Sequence, residues 1–225
     1  MISNHGPLPT ILGILTLMTG FIDAVTYLKF GHVFVANMTG NVVFLGFALA
    51  GARDISIPGT LLAMAGFLLG ALLGGLFNER LITHRGNLVA ASSLTKIIIL
   101  ASATIAALLD ASPFVIIPML GVTMGIQNAV ARKLAIPDVT TTVLTMTVTG
   151  LMADSSLVGG KNPRVGRRIA AILTMFIGAL GGASAVLYHG IPFALAAATA
   201  IVTVVAVSAY VLSRGQPDWV KSPSA

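Results

Sequence analysis

Two ionisable side chains stand in the middle of apolar runs, and these are the residues whose chemistry matters most. Asp23 sits in Gly20-Phe21-Ile22-Asp23-Ala24-Val25-Thr26-Tyr27, and Lys96 in Ser92-Ser93-Leu94-Thr95-Lys96-Ile97-Ile98-Ile99. A charge at membrane depth costs about 2.5–3.5 kcal/mol even on insertion scales, so such residues are functional candidates by default. Asp23 is a candidate for holding a proton or Na⁺, or for pairing with Lys96. Its competing role is structural, as a satisfied ion pair or a packing hydrogen bond. Lys96 lies roughly 12 Å from the near end of its run at helical rise. Its stem can nearly snorkel that far. The other roles open to it are pairing with Asp23 and contacting an anion or substrate.

A second group of polar residues interrupts two further apolar runs. Asn37, Thr39, Gly40 and Asn41 fall in the first, and Thr145 and Thr147 in the second, with Gln127 and Asn128 close before it. A chain that leaves the helix at Thr39-Gly40 would present a half-helix N-terminus, with free N–H groups and a positive dipole end. An anionic or carbonyl-bearing ligand would suit that place. The competing role is polar glue between helices, worth about 0.6–2 kcal/mol per contact.

No catalytic constellation is visible. There is no His-Glu-x-x-His, Gly-x-Ser-x-Gly or Gly-Lys-Ser/Thr motif. Asp154, with Ser155 and Ser156, reads as a solvated turn. The chain has no cysteine, and its four histidines show no ligand spacing. The expectation is no enzyme, no metal and no cofactor.

The elements that must carry these residues follow from composition. The chain has 225 residues, 56% apolar and 9% charged, with a mean hydropathy of +0.96. Soluble domains carry about 25% charged residues, so that class is excluded. The net charge of +6 sits in short loops between apolar runs, which points to a lipid bilayer rather than nucleic acid. Eight segments approach the roughly 20 residues a crossing needs: about 11–30, 33–52, 58–77, 88–109, 113–134, 139–158, 166–188 and 191–212. Pro58, Pro113, Pro137, Pro163 and Pro192 stand near segment starts, where proline is tolerated. Residues 1–10 carry no Lys or Arg, unlike a signal peptide. The tail 213–225 is polar and expected to fray, with Trp219 either at the headgroups or without a role.

The chain matches itself. Gly20-Phe21-Ile22-Asp23-Ala24-Val25 resembles Gly125-Ile126-Gln127-Asn128-Ala129-Val130 at an offset of 105. Thr39-Gly40-Asn41-Val42 falls on Thr145-Met146-Thr147-Val148 at 106, and Gly70 to Gly74 on Gly178 to Gly182 at 108. The order is kept, so one membrane domain built from two repeats, 1–110 and 111–225, is expected. Gly66, Gly70 and Gly74, and likewise Gly178 and Gly182, form small-residue faces that let helices approach closely, within or between protomers.

Charge decides how many segments cross. If all eight do, Lys and Arg divide almost evenly between the faces. If 33–52 and 139–158 enter and leave on one face, ten of the 13 lie on the N-terminal side and only Lys29 and Arg53 on the other. The positive-inside rule then gives both termini cytoplasmic. Six crossings plus two polar broken or re-entrant segments make three crossings per half. An odd number forces the halves to be inverted, as in many secondary transporters. Eight crossings with parallel repeats is the alternative architecture.

The stretch from Gly20 through Asp23 to Asn37-Met38-Thr39-Gly40-Asn41 resembles the YoaK-like family of bacterial multi-pass membrane proteins, a domain of unknown function. Gly125-Ile126-Gln127-Asn128 with the Thr-rich segment after it is similar to that family too. Met146 departs from the first repeat, standing where Gly40 stands. The resemblance implies about six spans and the bacterial inner membrane, and implies no substrate. Together these features lead to a small secondary transporter or permease for a small polar or anionic solute, coupled to a proton or Na⁺ through Asp23 and working as a homodimer. The alternative is a non-transporting scaffold or partner subunit, whose polar residues are packing glue.

Overall fold

A computed structural model describes residues 5–81, 83–136, 144–161, 165–215 and 217–221. The helices are α1 (Leu8–Lys29), α2 (Met38–Leu49), α3 (Ile57–Leu81), α4 (Arg85–Leu108), α5 (Pro113–Leu134), α6 (Leu144–Ala153) and α7 (Val165–Ser213). No strand occurs among the described residues. Among the described residues five helices are long and apolar enough to cross a membrane. At 49 residues, α7 would measure about 74 Å, more than twice a hydrocarbon core. It breaks at Gly190, whose φ of 85° and ψ of 175° suit only glycine. Pro192 then opens the second arm, where its fixed φ suits a helix start. The arms 165–189 and 191–213 are each span-length. By contrast α2 has 12 residues, about 18 Å, too short to cross a core of about 30 Å, and α6 is described over the 10 residues Leu144–Ala153.

Helix pairing follows the glycines. A Cβ built on Gly70 would lie 2.1 Å from the Val122 carbonyl oxygen, and one on Gly66 2.4 Å from that of Pro118. One on Gly74 would lie 2.6 Å from the Ala129 Cβ. These residues lock α3 against α5. In the same way a Cβ on Gly178 would lie 2.0 Å from the Leu17 oxygen and one on Gly182 2.2 Å from the Phe21 oxygen, locking the first arm of α7 against α1. The two interfaces are copies. Leu17 and Val122 differ by 105 positions, as do Phe21 and Ile126; Gly70 and Gly178 differ by 108, as do Gly74 and Gly182. The reciprocal contacts agree: Gly125 meets the Phe67 oxygen and Gly20 the Met175 oxygen, again at offsets of 105 and 108. Both pairs run parallel, and each joins one half of the chain to the other. The second arm of α7 packs on α4 through Leu100, Ala103, Leu195, Ala198 and Val202.

The ends sort clearly. Ser56 N–H donates to the Gly31 oxygen at 3.1 Å, and His32 Nδ1 lies 2.6 Å from the Asp54 oxygen. The end of α1 therefore meets the start of α3, and segment 33–52 begins and finishes at one end of the bundle. At the other end, Arg85 Nη2 donates to the Leu134 oxygen at 3.5 Å and Lys221 bridges His84. The tail departs from expectation there. Trp219 and Val220 are 6% and 2% exposed, packed with Leu8, Ile11 and Leu88, because the apolar face of the last turn finds an apolar floor. Residues 222–225 lie outside the described set.

Candidate functional site

The site is built on α1 and the chain that follows it. After Lys29 the backbone turns through two left-handed residues, Gly31 (φ 81°) and His32 (φ 58°), and runs extended back into the bundle. An unwound backbone buried there needs partners for its polar groups. Asp23 supplies two: its Oδ1 accepts from Val35 N–H at 3.0 Å and Ala36 N–H at 2.9 Å. Asn41 supplies two more. Its Oδ1 accepts from Phe34 N–H at 3.0 Å and its Nδ2 donates to the Phe34 oxygen at 2.5 Å. Helix α2 then starts at Asn37, whose Oδ1 accepts from Gly40 N–H at 3.1 Å, a side-chain cap of the usual kind. The break thus falls at Asn37-Met38, two residues before the expected Thr39-Gly40. Gly40 has a packing reason: a Cβ there would lie 2.9 Å from the Phe34 ring.

Beside this loop is a cavity of about 530 Å³. Its lining includes Thr19, Asp23 and Tyr27 from one face of α1, Phe34 and Asn37 from the loop, Leu144 and Thr145 from α6, and Ala179 and Ala183 from α7. The cap of α2, from one half, and residues of α6, from the other, therefore meet at one cavity. Asp23 is 5% exposed. Tyr27 and Phe34 stack at 5.1 Å between ring centroids.

Of the residues singled out from sequence, Asp23, Asn37 and Thr145 line this cavity. Thr39 and Gly40 lie in the first turn of α2, and Asn41 is spent on the Phe34 backbone. Asn128 Nδ2 donates to the Met124 oxygen at 2.9 Å, and Thr147 is buried in α6. None of these lines the cavity. The Thr-rich opening of the second segment, Asp138 through Thr142, lies outside the described residues, as do Pro137 and Pro163.

Lys96 neither snorkels nor pairs with Asp23. It is 1% exposed, and its Nζ donates to Gln127 Oε1 at 3.3 Å. Gln127 Nε2 in turn donates to the Leu15 oxygen at 2.9 Å and to Thr19 Oγ1 at 2.8 Å. The bundle interior offers an amide nearer than solvent, so the stem stays inside. A polar strand runs from Lys96 through Gln127 to Thr19 at the cavity wall. Asp154 is no plain solvated turn either: its Oδ2 lies 2.7 Å from Arg168 Nη2. Arg168 also donates to the Gly150 oxygen, tying the end of α6 to the start of α7.

Sequence reasoning passed over Thr19 and Tyr27. The signal was present, since Thr19, Asp23 and Tyr27 recur every fourth residue and so share one helical face.

The profile of the family described as "Protein of unknown function (DUF1275)" matches residues 11–208. The chain belongs to this family. It is also similar to the "UPF0700 transmembrane protein YoaK" of Bacillus subtilis (strain 168), 33% identical over 154 residues, which cover 65% of this chain and 67% of the relative. No solved structure matches it. The family match and the transmembrane relative, with the long apolar helices, make this a multi-pass membrane protein of the YoaK-like family.

Proposed function

We propose that the protein is a small secondary transporter or permease for a small polar solute, with the cavity at Asp23 as its binding site. The observation that carries this reading is the meeting, at one cavity of about 530 Å³, of a buried carboxylate and Asn37 at the cap of α2 from one half with Leu144 and Thr145 of α6 from the other. In secondary transporters, sites of this kind form where discontinuous helices from two repeats meet. In this reading α1, α3, α4, α5 and the two arms of α7 are six crossings, and α2 and α6 re-enter from opposite faces. Three crossings per half make the repeats inverted, and the copied glycine interfaces support that relation. The charge bias puts both termini in the cytoplasm and the chain in a bacterial inner membrane. Asp23 is the group that couples a proton or Na⁺. The chain works as a homodimer and catalyses no chemical step. A scaffold role draws no support from the glycine faces, because both are covered within the chain.

The test is reconstitution of the full chain in liposomes, with solute-driven currents read over a panel of amines, amino acids and organic acids. Asp23→Asn, and Ala183→Trp filling the cavity, should each abolish the current. A wild-type current that survives both overturns the site. Absence of current across the panel overturns transport.

A further inference from the structure

The chemistry of the cavity wall narrows the solute, given that the cavity is a solute site. Among the described residues Asp23 contributes the one charged side chain to the lining; the other polar contributors, Thr19, Tyr27, Asn37 and Thr145, are neutral. Only Oδ1 of Asp23 receives backbone N–H groups. No donor reaches Oδ2 from the described residues. Among the described residues no cation lies within ion-pair distance of it either, and Lys96 is engaged by Gln127. The α2 end offers little pull on an anion, because Asn37 already caps it. An anionic solute would therefore enter against an uncompensated carboxylate. A cation would complete it, with the strength of a charge-assisted hydrogen bond in a poorly solvated site. Beside that carboxylate stand the Tyr27 and Phe34 rings, stacked at 5.1 Å. Ring faces attract an ammonium within about 6 Å and also pack apolar carbon.

We infer that the cavity selects a small primary or secondary ammonium solute with a short apolar body, its N–H groups donating to Asp23 Oδ2 and its cation or carbon frame lying against Tyr27 and Phe34. The carboxylate gives the sign of the charge, the rings give the preference for apolar carbon, and the volume of about 530 Å³ bounds the size.

The experiment uses the full chain in lipid nanodiscs and three probes of matched shape: phenethylamine as cation, phenylpropanol as neutral and phenylpropionate as anion. Saturable binding is read by displacement of radiolabelled probe. The wild type should bind phenethylamine at least tenfold more tightly than either other probe. Asp23→Asn keeps an Oδ1 acceptor for Val35 and Ala36, so the loop stays in place, yet phenethylamine affinity should fall at least tenfold. Should that variant fail to fold, the Tyr27→Leu and Phe34→Leu pair stands in for it, with phenethylamine affinity falling at least threefold and phenylpropanol affinity less. Equal phenethylamine affinity in wild type and Asp23→Asn, equal loss for both probes in the ring variant, or tighter binding of phenylpropionate overturns the ammonium assignment. If phenylpropanol or phenylpropionate binds best and Ala183→Trp abolishes it, the solute cavity stands and only its chemical class falls. If no probe binds, the ammonium assignment falls; if Ala183→Trp also leaves a wild-type transport current unaltered, the cavity falls as the solute site, and if no current is seen at all the transporter reading falls.

Discussion

Substituting Gly178 by alanine adds one methyl group where α1 and α7 touch. That Cβ would sit 2.0 Å from the Leu17 carbonyl oxygen, and real Cβ contacts essentially never fall below 3.0 Å. The helices must part by about 1 Å, which forfeits a quarter to a half of the dispersion well for atoms along the seam. The expected destabilisation is about 1–3 kcal/mol, the usual cost of overpacking. Gly75 is the internal control, because it lies in α3 with nothing within 4 Å of its would-be Cβ. Gly75→Ala should instead gain about 0.8–1 kcal/mol of helix propensity. The same chemical change thus produces opposite signs, about 2–4 kcal/mol apart by the sum of those two effects. Gly70→Ala, at the repeat-related place on α3, should match Gly178→Ala. The assay is the folded fraction of detergent-solubilised protein against temperature, read by size-exclusion chromatography. Equal midpoints for Gly178→Ala and Gly75→Ala would refute the close-contact reasoning.

Gln127→Leu removes the amide that satisfies Lys96 and should destabilise by about 1.5–3 kcal/mol; adding Lys96→Met should restore most of it, since apolar replacement of both partners is often neutral. A thermal midpoint unchanged by Gln127→Leu would refute the buried contact. Asn41→Ala orphans the N–H and carbonyl of Phe34, at about 1–3 kcal/mol for each buried group, and should speed hydrogen exchange of the amides of residues 33–37. Topology is testable because the chain has no cysteine. Single cysteines at the exposed Lys29 and Arg53 should react with an impermeant maleimide from outside intact cells, and one at Arg214 should not. Protection of Arg53→Cys with labelling of Lys29→Cys would mean that segment 33–52 crosses.

The helices were legible because apolar run length, proline placement and glycine spacing are local signals. Six of the eight segments read from sequence correspond to α1, α3, α4, α5 and the two arms of α7. Even the turn at Gly190-Pro192 separates segments 166–188 and 191–212 where backbone geometry breaks the helix. Asp23 was legible for the same reason, as a charge in an apolar run. Its partners were not. Nothing local says that Asp23 holds the amides of Val35 and Ala36 rather than Lys96, because an extended loop offers N–H groups with no sequence mark. Asn41 misled in the same way: a mid-run asparagine reads as a ligand group until a backbone is found to occupy both ends of its amide. Trp219 misled through the polar company around it, since its burial depends on the distant Leu8 and Leu88.

The order in which the chain is made meets the order in which it packs. Gly70 of α3 waits about 52 residues for Val122, but Leu17 of α1 waits about 161 residues for Gly178. At about 5–20 residues per second of synthesis, the first seam can close within about 3–10 s. The second stays open for about 8–32 s, with the helix that bears Asp23 lacking its mate in lipid. Every truncation before the last quarter of the chain strands that helix permanently. Quality-control proteases of the membrane should therefore meet α1 unpaired in every such truncated product.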